Sequence, residues 1–272
     1  MPNPQAATAT LDDIDALLVQ LRRIAGDAGR EILTYYHAAA DIEVTHKADD
    51  SPLTKADLAA DHLITEALTA YAPDIPVISE EGVEAGRIPA IGNRFWVVDP
   101  LDGTKEFINR NGEFTVNIAL IQDGQPVAGV VHAPALGAFW AGATADLGQV
   151  RAQYNEGGEP ASDMTARTIP DAGATIVASR RHGDPEEMAK FLGGRAIANT
   201  RNAGSSIKFC LIAQGEADIY PRFGRTMEWD TGAGHAVLNA AGGKVESTDG
   251  TPLSYGKMDF ANPPFVAYGR SA

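Results

Sequence analysis

The sequence predicts a mixed α+β first half built round an antiparallel sheet, followed by a layered α/β second half. Three observations carry this expectation. The apolar runs FTVNIALI and PVAGVVH flank Gln122, Asp123, Gly124 and Gln125, a hairpin signal, and GAFWAG supplies a neighbouring strand. Helical periodicity dominates the first seventy residues. Beyond residue 163, the short strands TIVAS, ADIY and PFVAY alternate with helical segments around 185–192, 205–214 and 230–241.

Taken in order, residues 11–36 read as a helix with Thr10 as its cap, Asp12, Asp13 and Asp15 in the first turn, and Leu17, Leu21, Ile24 and Ala28 on one stripe. A short strand is expected at 42–46, followed by the loop KADDSP. A second helix starts after Thr54, with Ile64, Leu68 and Tyr71 on one face. The run IPVIS then ends in Glu80 and Glu81. The segment NEGGEPASD, residues 155–163, lacks a periodic pattern and is rich in Gly, Pro and acids, so it is expected as a boundary or exposed connection. This gives two domains, 1–154 and 155–272.

Composition narrows the function. The chain of 272 residues is 44% apolar, enough to bury a substantial core. Thirty-six acids against 22 bases give a formal charge of −14, which disfavours nucleic acid and anionic membranes as partners. The segment MPNPQAATAT has neither a basic start nor an apolar core, and no later stretch approaches the roughly 20 apolar residues that span a bilayer. A cytoplasmic chain with no integral membrane segment is expected. A single cysteine, Cys210, excludes an intrachain disulfide and a thiolate zinc site, so any metal would sit among oxygen ligands.

The acids are the informative residues. In FWVVDPLDGTKEF, Phe95 to Val98 read as a buried strand that Pro100 interrupts, leaving Asp99 where the strand leaves the sheet. A turn would bring Asp102 back beside Asp99, while Gly103 permits close backbone approach and Gly103 with Thr104 opens a helix towards an anion. Two carboxylates in one small volume call for protons or cations, and Mg²⁺ is held by one or two carboxylates together with phosphate and water. An Asp-Pro turn followed by an Asp helix cap explains the same residues structurally. Asp57 in Thr-Lys-Ala-Asp fits a capping box, Glu80 and Glu81 fit a solvated strand end, and Asp230 fits the cap of a helix whose Gly and Ala positions permit close packing.

Together, LTKAD, ISEEG, VVDPLDGT and WDTGAGHAVLNAAGG occur in an order that resembles the lithium-sensitive, magnesium-dependent phosphomonoesterases of the inositol monophosphatase superfamily. WVVDPLDGTKEFINRNGEFTVNIALI and GSSIKFCLIAQGEADIYPRFGRTMEWDTGAGHAVLNAAGG are similar to its CysQ-type branch, the 3'(2'),5'-bisphosphate nucleotidases. The resemblance spans nearly the whole chain and implies a two-domain layered αβαβα sugar-phosphatase fold. It also implies two or three Mg²⁺ ions held by Glu80, Asp99, Asp102, Asp230 and the Leu101 carbonyl. Asp57 and Thr104 are implied as the pair that orients and deprotonates the attacking water. The implied chemistry is in-line hydrolysis by a metal-activated water without a phosphoenzyme, with a task in sulfur metabolism.

The second half bears on the substrate. Where inositol phosphatases carry an acid after the A-D-x-Y strand, this chain has Pro221, Arg222 and Phe223. Arg222 offers a planar donor fork for a phosphate that is held but not cleaved. Ser205, Lys208 and His182 fall where the nucleotidases contact nucleotide, and Gly103, Thr104 and Asp230 border the reacting phosphate. Surface Arg and Lys residues are also commonly just solvated, and a loop His is commonly structural. The expected reaction is removal of the 3'-phosphate from adenosine 3',5'-bisphosphate, with its sulfated precursor as a second substrate. The alternatives are an inositol monophosphatase or broad sugar-phosphate phosphatase, and a catalytically silent nucleotide-binding regulator. Family members have been associated with the inner membrane, although nothing in the sequence encodes an anchor, and both a monomer and a homodimer are compatible with it.

Overall fold

The computed structural model describes residues 11, 13–38, 44–46, 52–179 and 185–271. Its elements stack in five layers. Two long helices, Ile14–Tyr36 and Lys55–Tyr71, cover one face of a seven-stranded sheet. Helices Ile207–Ala213 and Glu228–Ala240 fill the space between that sheet and a five-stranded one. Helix Pro185–Leu192 closes the outer face of the second sheet through Phe191 and Leu192. This is the αβαβα order that the family resemblance implied.

The first sheet runs Val77–Ser79, Arg94–Asp102, Thr115–Gln122, Gln125–Ala133, Ala138–Ala143, Arg151–Glu156 and Ser162–Asp163. Only its first pair is parallel. The period-two alternation of a strand divides the core cleanly. Trp96, Val98, Val116, Ile118 and Leu120 face the outer helices, whereas Phe95, Val97, Ala119 and Ile121 face the middle layer. The central hairpin turns at Asp123 (φ 50°) and Gly124 (φ 74°), two left-handed residues as a type I′ turn requires.

The second sheet is ordered Ile197–Asn202, Ala174–Ala178, Ile219–Arg222, Phe265–Tyr268 and Lys244–Ser247, parallel over the first three strands and antiparallel thereafter. Of these, Ile197–Asn202 and Lys244–Ser247 were not apparent from the pattern. Helix Glu228–Ala240 lies flat on the first sheet because two paired glycines, Gly129 and Gly142, leave room for it. A Cβ on Gly142 would stand 2.8 Å from the Ala240 Cβ and 3.0 Å from the Val237 Cα, and one on Gly129 would stand 3.0 Å from the Ala236 Cβ.

Several local expectations are corrected. The first helix is capped by Asp13, whose Oδ1 accepts from the Ala16 N–H at 3.0 Å, and Thr10 lies outside the described residues. The described part of the expected strand at 42–46 is Val44–His46, and it pairs with an unforeseen strand, Pro52–Thr54. Glu80 and Glu81 do not end a strand in solvent. They open the short helix Glu80–Glu84, because the Ser79 Oγ accepts from the Gly82 N–H at 3.0 Å and caps it. The segment 155–163, by contrast, is the exposed connection it was expected to be, the tip of the hairpin joining Arg151–Glu156 to Ser162–Asp163.

Candidate active site

The acids of the DPLD motif are carried onto one face of the sheet by a β-bulge inside a continuing strand, where a turn out of the sheet was expected. Asp99 pairs with Asn117 and Asp102 with Thr115, so three steps on one strand oppose two on the other. Residues three apart in a regular strand point to opposite faces, and the extra residue cancels that inversion. Pro100, which donates nothing to the ladder, sits in the bulge. The Asp99 Oδ1 accepts from the Leu101 N–H at 3.0 Å, which fixes the bent backbone.

Asp57 caps its helix and faces the motif at once. Its Oδ2 accepts from the Thr54 N–H at 2.8 Å and the Thr54 hydroxyl at 2.5 Å, which closes the capping box. Its Oδ1 lies 3.3 Å from the Thr104 Oγ1. The same hydroxyl is 3.4 Å from the Leu101 carbonyl oxygen, so Asp57, Leu101 and Thr104 form one contiguous edge. Gly103, at φ 90°, caps the helix Thr104–Ile108, and a Cβ there would stand 2.3 Å from the Ser205 Oγ. Backbone conformation and space both demand glycine at this position.

Asp230 enters from the second half at the third position of its helix, where its Oδ2 accepts from the Met227 N–H at 2.9 Å. Burial, followed by repulsion from Asp102 and Glu80, raises its carboxyl well above the usual carboxylate range. Asp102 is raised chiefly by burial, with Glu80 adding and Lys208, Asn117 and Ser206 opposing. Three acids from three separate elements therefore sense one another's charge. Mutually repelling carboxylates do not converge on a point by themselves, and among the described residues no three His, Cys, Asp or Glu side chains form a ready metal cluster. The donors are oxygens throughout, and the repulsion they share is of the kind a hard divalent cation offsets, so the set suits Mg²⁺.

A cavity of about 290 Å³ adjoins these acids, and its lining includes Asp102, Gly103, Thr104 and Asp230 together with Lys208 and Arg222. Lys208 is buried, and its ammonium donates to the Ser205 carbonyl at 2.6 Å and the Ala203 carbonyl at 3.3 Å. Burial, opposed by Asp102, brings its pKa down to about 8. Arg222 donates through Nη2 to the Arg225 carbonyl at 3.2 Å, while its Nε is buried without a protein partner. Ser205 lines the cavity, but its hydroxyl is turned inward, 2.8 Å from the Asp102 carbonyl oxygen and 2.9 Å from that of Glu113. Its backbone sits in the left-handed region at φ 47°. His182 lies outside the described residues.

Two polar residues of the site escaped the sequence reading. Asn117 and Ser206 are both buried and both touch Asp102. Asn117 carried a faint signal, an amide within the otherwise apolar run VNIALI.

The chain is 45% identical to the 3'(2'),5'-bisphosphate nucleotidase CysQ of Salmonella typhimurium over 250 residues, 92% of this chain and 98% of that protein. It is 43% identical to the protein of the same name from Escherichia coli K12, over the same shares of the two chains. The crystal structure of CysQ from Bacteroides thetaiotaomicron superposes with a TM-score of 0.79 at 36% identity, covering 96% of this chain and 99% of that one. An inositol monophosphatase from Anabaena shares the fold, with a TM-score of 0.72 at 23% identity over 95% of this chain and 92% of that one. The inositol monophosphatase family is matched over residues 13–268, from the first helix to the last strand, and the chain belongs to that family.

Proposed function

We propose that the chain is a metal-dependent 3'(2'),5'-bisphosphate nucleotidase that hydrolyses the 3'-phosphate of adenosine 3',5'-bisphosphate to give AMP and phosphate, with the sulfated precursor as a second substrate. The observation that carries this reading is that one cavity is lined both by acids and by the cations Lys208 and Arg222. A substrate with two phosphates can answer both ends, its reacting phosphate among the acids and its second phosphate at the Arg222 guanidinium. The name carried by relatives at 43–45% identity supports the same substrate class.

Glu80, Asp99, Asp102, Asp230 and the Leu101 carbonyl would hold two or three Mg²⁺ ions. When bound, Mg²⁺ lowers the pKa of water and offsets phosphoryl charge. The Thr104 hydroxyl would orient the attacking water, and its proton would pass to Asp57, whose Oδ1 is 3.3 Å from that hydroxyl. The capping bonds on the Asp57 Oδ2 hold the carboxylate in place for this. Gly103 would let the phosphate approach the backbone at the start of the short helix. His182 and Ser205 would contact the nucleotide, as the family resemblance implies.

Phosphate release from adenosine 3',5'-bisphosphate, with AMP identified as the nucleoside product, tests the reading. The expected result is turnover with Mg²⁺ that disappears in excess chelator. Release of adenosine 3'-phosphate instead would place the reacting phosphate at the wrong end of the cavity.

A further inference from the structure

We infer that Asn117 and Ser206 form a positioning clamp that aims the Asp102 carboxylate and ties it to the Asp230 helix, thereby setting the affinity of the site for its cation. The inference rests on the metal-dependent reading above. Asn117 projects from the first sheet, whereas Ser206 stands at the entrance to the middle-layer helix Ile207–Ala213, 89 residues away in sequence.

The clamp consists of contacts of 2.9 to 3.5 Å made by the buried side chains of Asn117, Ser206 and Thr115. The Asn117 Nδ2 donates to the Ser206 Oγ at 2.9 Å and lies 3.4 Å from the Asp102 Oδ2. The Ser206 Oγ is 3.2 Å from the same Asp102 Oδ2 and 2.9 Å from the Asp230 carbonyl oxygen. A third donor, the Thr115 Oγ1, reaches that Oδ2 at 3.5 Å. All three side-chain donors converge on one oxygen of Asp102, which fixes the carboxylate's rotation. The Ser206 hydroxyl has one hydrogen to place between Asp102 and the Asp230 carbonyl, so a single atom links the side chain of one acid to the backbone of the other across the halves of the chain.

Asn117 also bears a local penalty that packing alone does not explain. Its Oδ1 is buried without a hydrogen-bond partner. A buried, unmet acceptor is destabilising, and an apolar side chain would suit this strand position better. Rotating the amide would not help, because its oxygen would then face the Asp102 carboxylate. The penalty is offset where the amide's two N–H groups are needed, on Ser206 and Asp102. Partners of this kind orient metal-binding carboxylates, and their loss typically lowers metal affinity or activity by ~10- to 100-fold.

The test is Mg²⁺ titration calorimetry on substrate-free protein, paired with thermal melting with and without Mg²⁺. Ser206→Ala and Asn117→Ala should each raise the Mg²⁺ dissociation constant ~10-fold or more and shrink the Mg²⁺-dependent rise in Tm. The double variant should lose less than the product of the single losses, because both act on one carboxylate. Ser206→Thr, which keeps the hydroxyl, should bind Mg²⁺ more tightly than Ser206→Ala. If Asn117→Ala does not fold, Ser206→Ala carries the test, since it removes a single oxygen. Variants that melt lower with and without Mg²⁺ alike, yet bind it as the wild type does, would reduce the pair to packing and overturn the clamp while leaving the nucleotidase reading intact. A wild-type protein that bound no Mg²⁺ would sink both.

Discussion

The Asp57 carboxylate is divided between two residues: its Oδ2 closes a capping box on Thr54 at 2.8 Å, and its Oδ1 stands 3.3 Å from the Thr104 Oγ1. A cap and the proposed proton acceptor thus occupy one side chain. Asp57→Asn separates them. The cap function predicts a stability loss of at most ~1 kcal/mol, and the acceptor function predicts a fall in kcat of ~10²-fold or more. We expect a folded variant with the large kinetic loss. Normal turnover in a slightly less stable protein would leave Asp57 as a cap alone.

Asp99→Asn deletes one charge from the bulge while nearly conserving shape. Turnover should fall sharply, and the Mg²⁺ concentration needed for half-maximal rate should rise. Li⁺ should inhibit the wild type, as the family resemblance implies. Near wild-type kcat in Asp99→Asn, with unchanged Mg²⁺ dependence, would make the bulge a structural feature only.

Arg222 separates substrates. Arg222→Glu should reduce kcat/KM for adenosine 3',5'-bisphosphate by ~2–5 kcal/mol, the scale for leaving a bound charge unpaired and adding repulsion. A simple phosphate monoester should be affected much less. Proportional loss on both substrates would indicate damage to the fold or the metal site.

Acid should destabilise the protein through two buried histidines. Burial is the chief cause that lowers His132 to about 4 and His235 to about 3. In the unfolded chain both take up protons near pH 6.5, so below that pH the unfolded state binds more protons and stability falls. The window runs from about pH 6.5 down through 4 for His132 and 3 for His235. Each group contributes at most ~1.4 kcal/mol per pH unit. His132→Asn should show a shallower fall of Tm between neutral and acidic pH than the wild type, whatever its Tm at neutral pH. An unchanged slope would mean that His132 is protonated in the fold.

Gly142→Val tests the seat of the Asp230 helix. The contacts of 2.8 Å to the Ala240 Cβ and 3.0 Å to the Val237 Cα would push that helix off the sheet. A loss of ~1–3 kcal/mol is expected from overpacking, read as a lower denaturant midpoint. An unchanged midpoint would show that the helix has slack.

Local pattern made much of the fold legible. The hairpin at Asp123 and Gly124, the amphipathic helices and the apolar runs follow from turn chemistry and periodicity acting within a few residues. The strand Ile197–Asn202 was hidden because most of its side chains are exposed, so no alternation marks it. The bulge at Pro100 read as a strand end because proline interrupts a ladder in either case. At the site, motif resemblance singled out the acids, but the direction of the Ser205 hydroxyl and the Asn117–Ser206 contact depend on packing between distant segments. No local spacing encodes a hydrogen bond across 89 residues.

The most direct test of the account is kcat/KM for adenosine 3',5'-bisphosphate against inositol 1-phosphate, measured on the wild-type protein at one fixed Mg²⁺ concentration. If the bisphosphate uses both the acids and Arg222, as proposed, whereas the inositol ester uses only the acids, a large ratio in favour of the bisphosphate is expected. A ratio near unity, or one favouring inositol 1-phosphate, would contradict it.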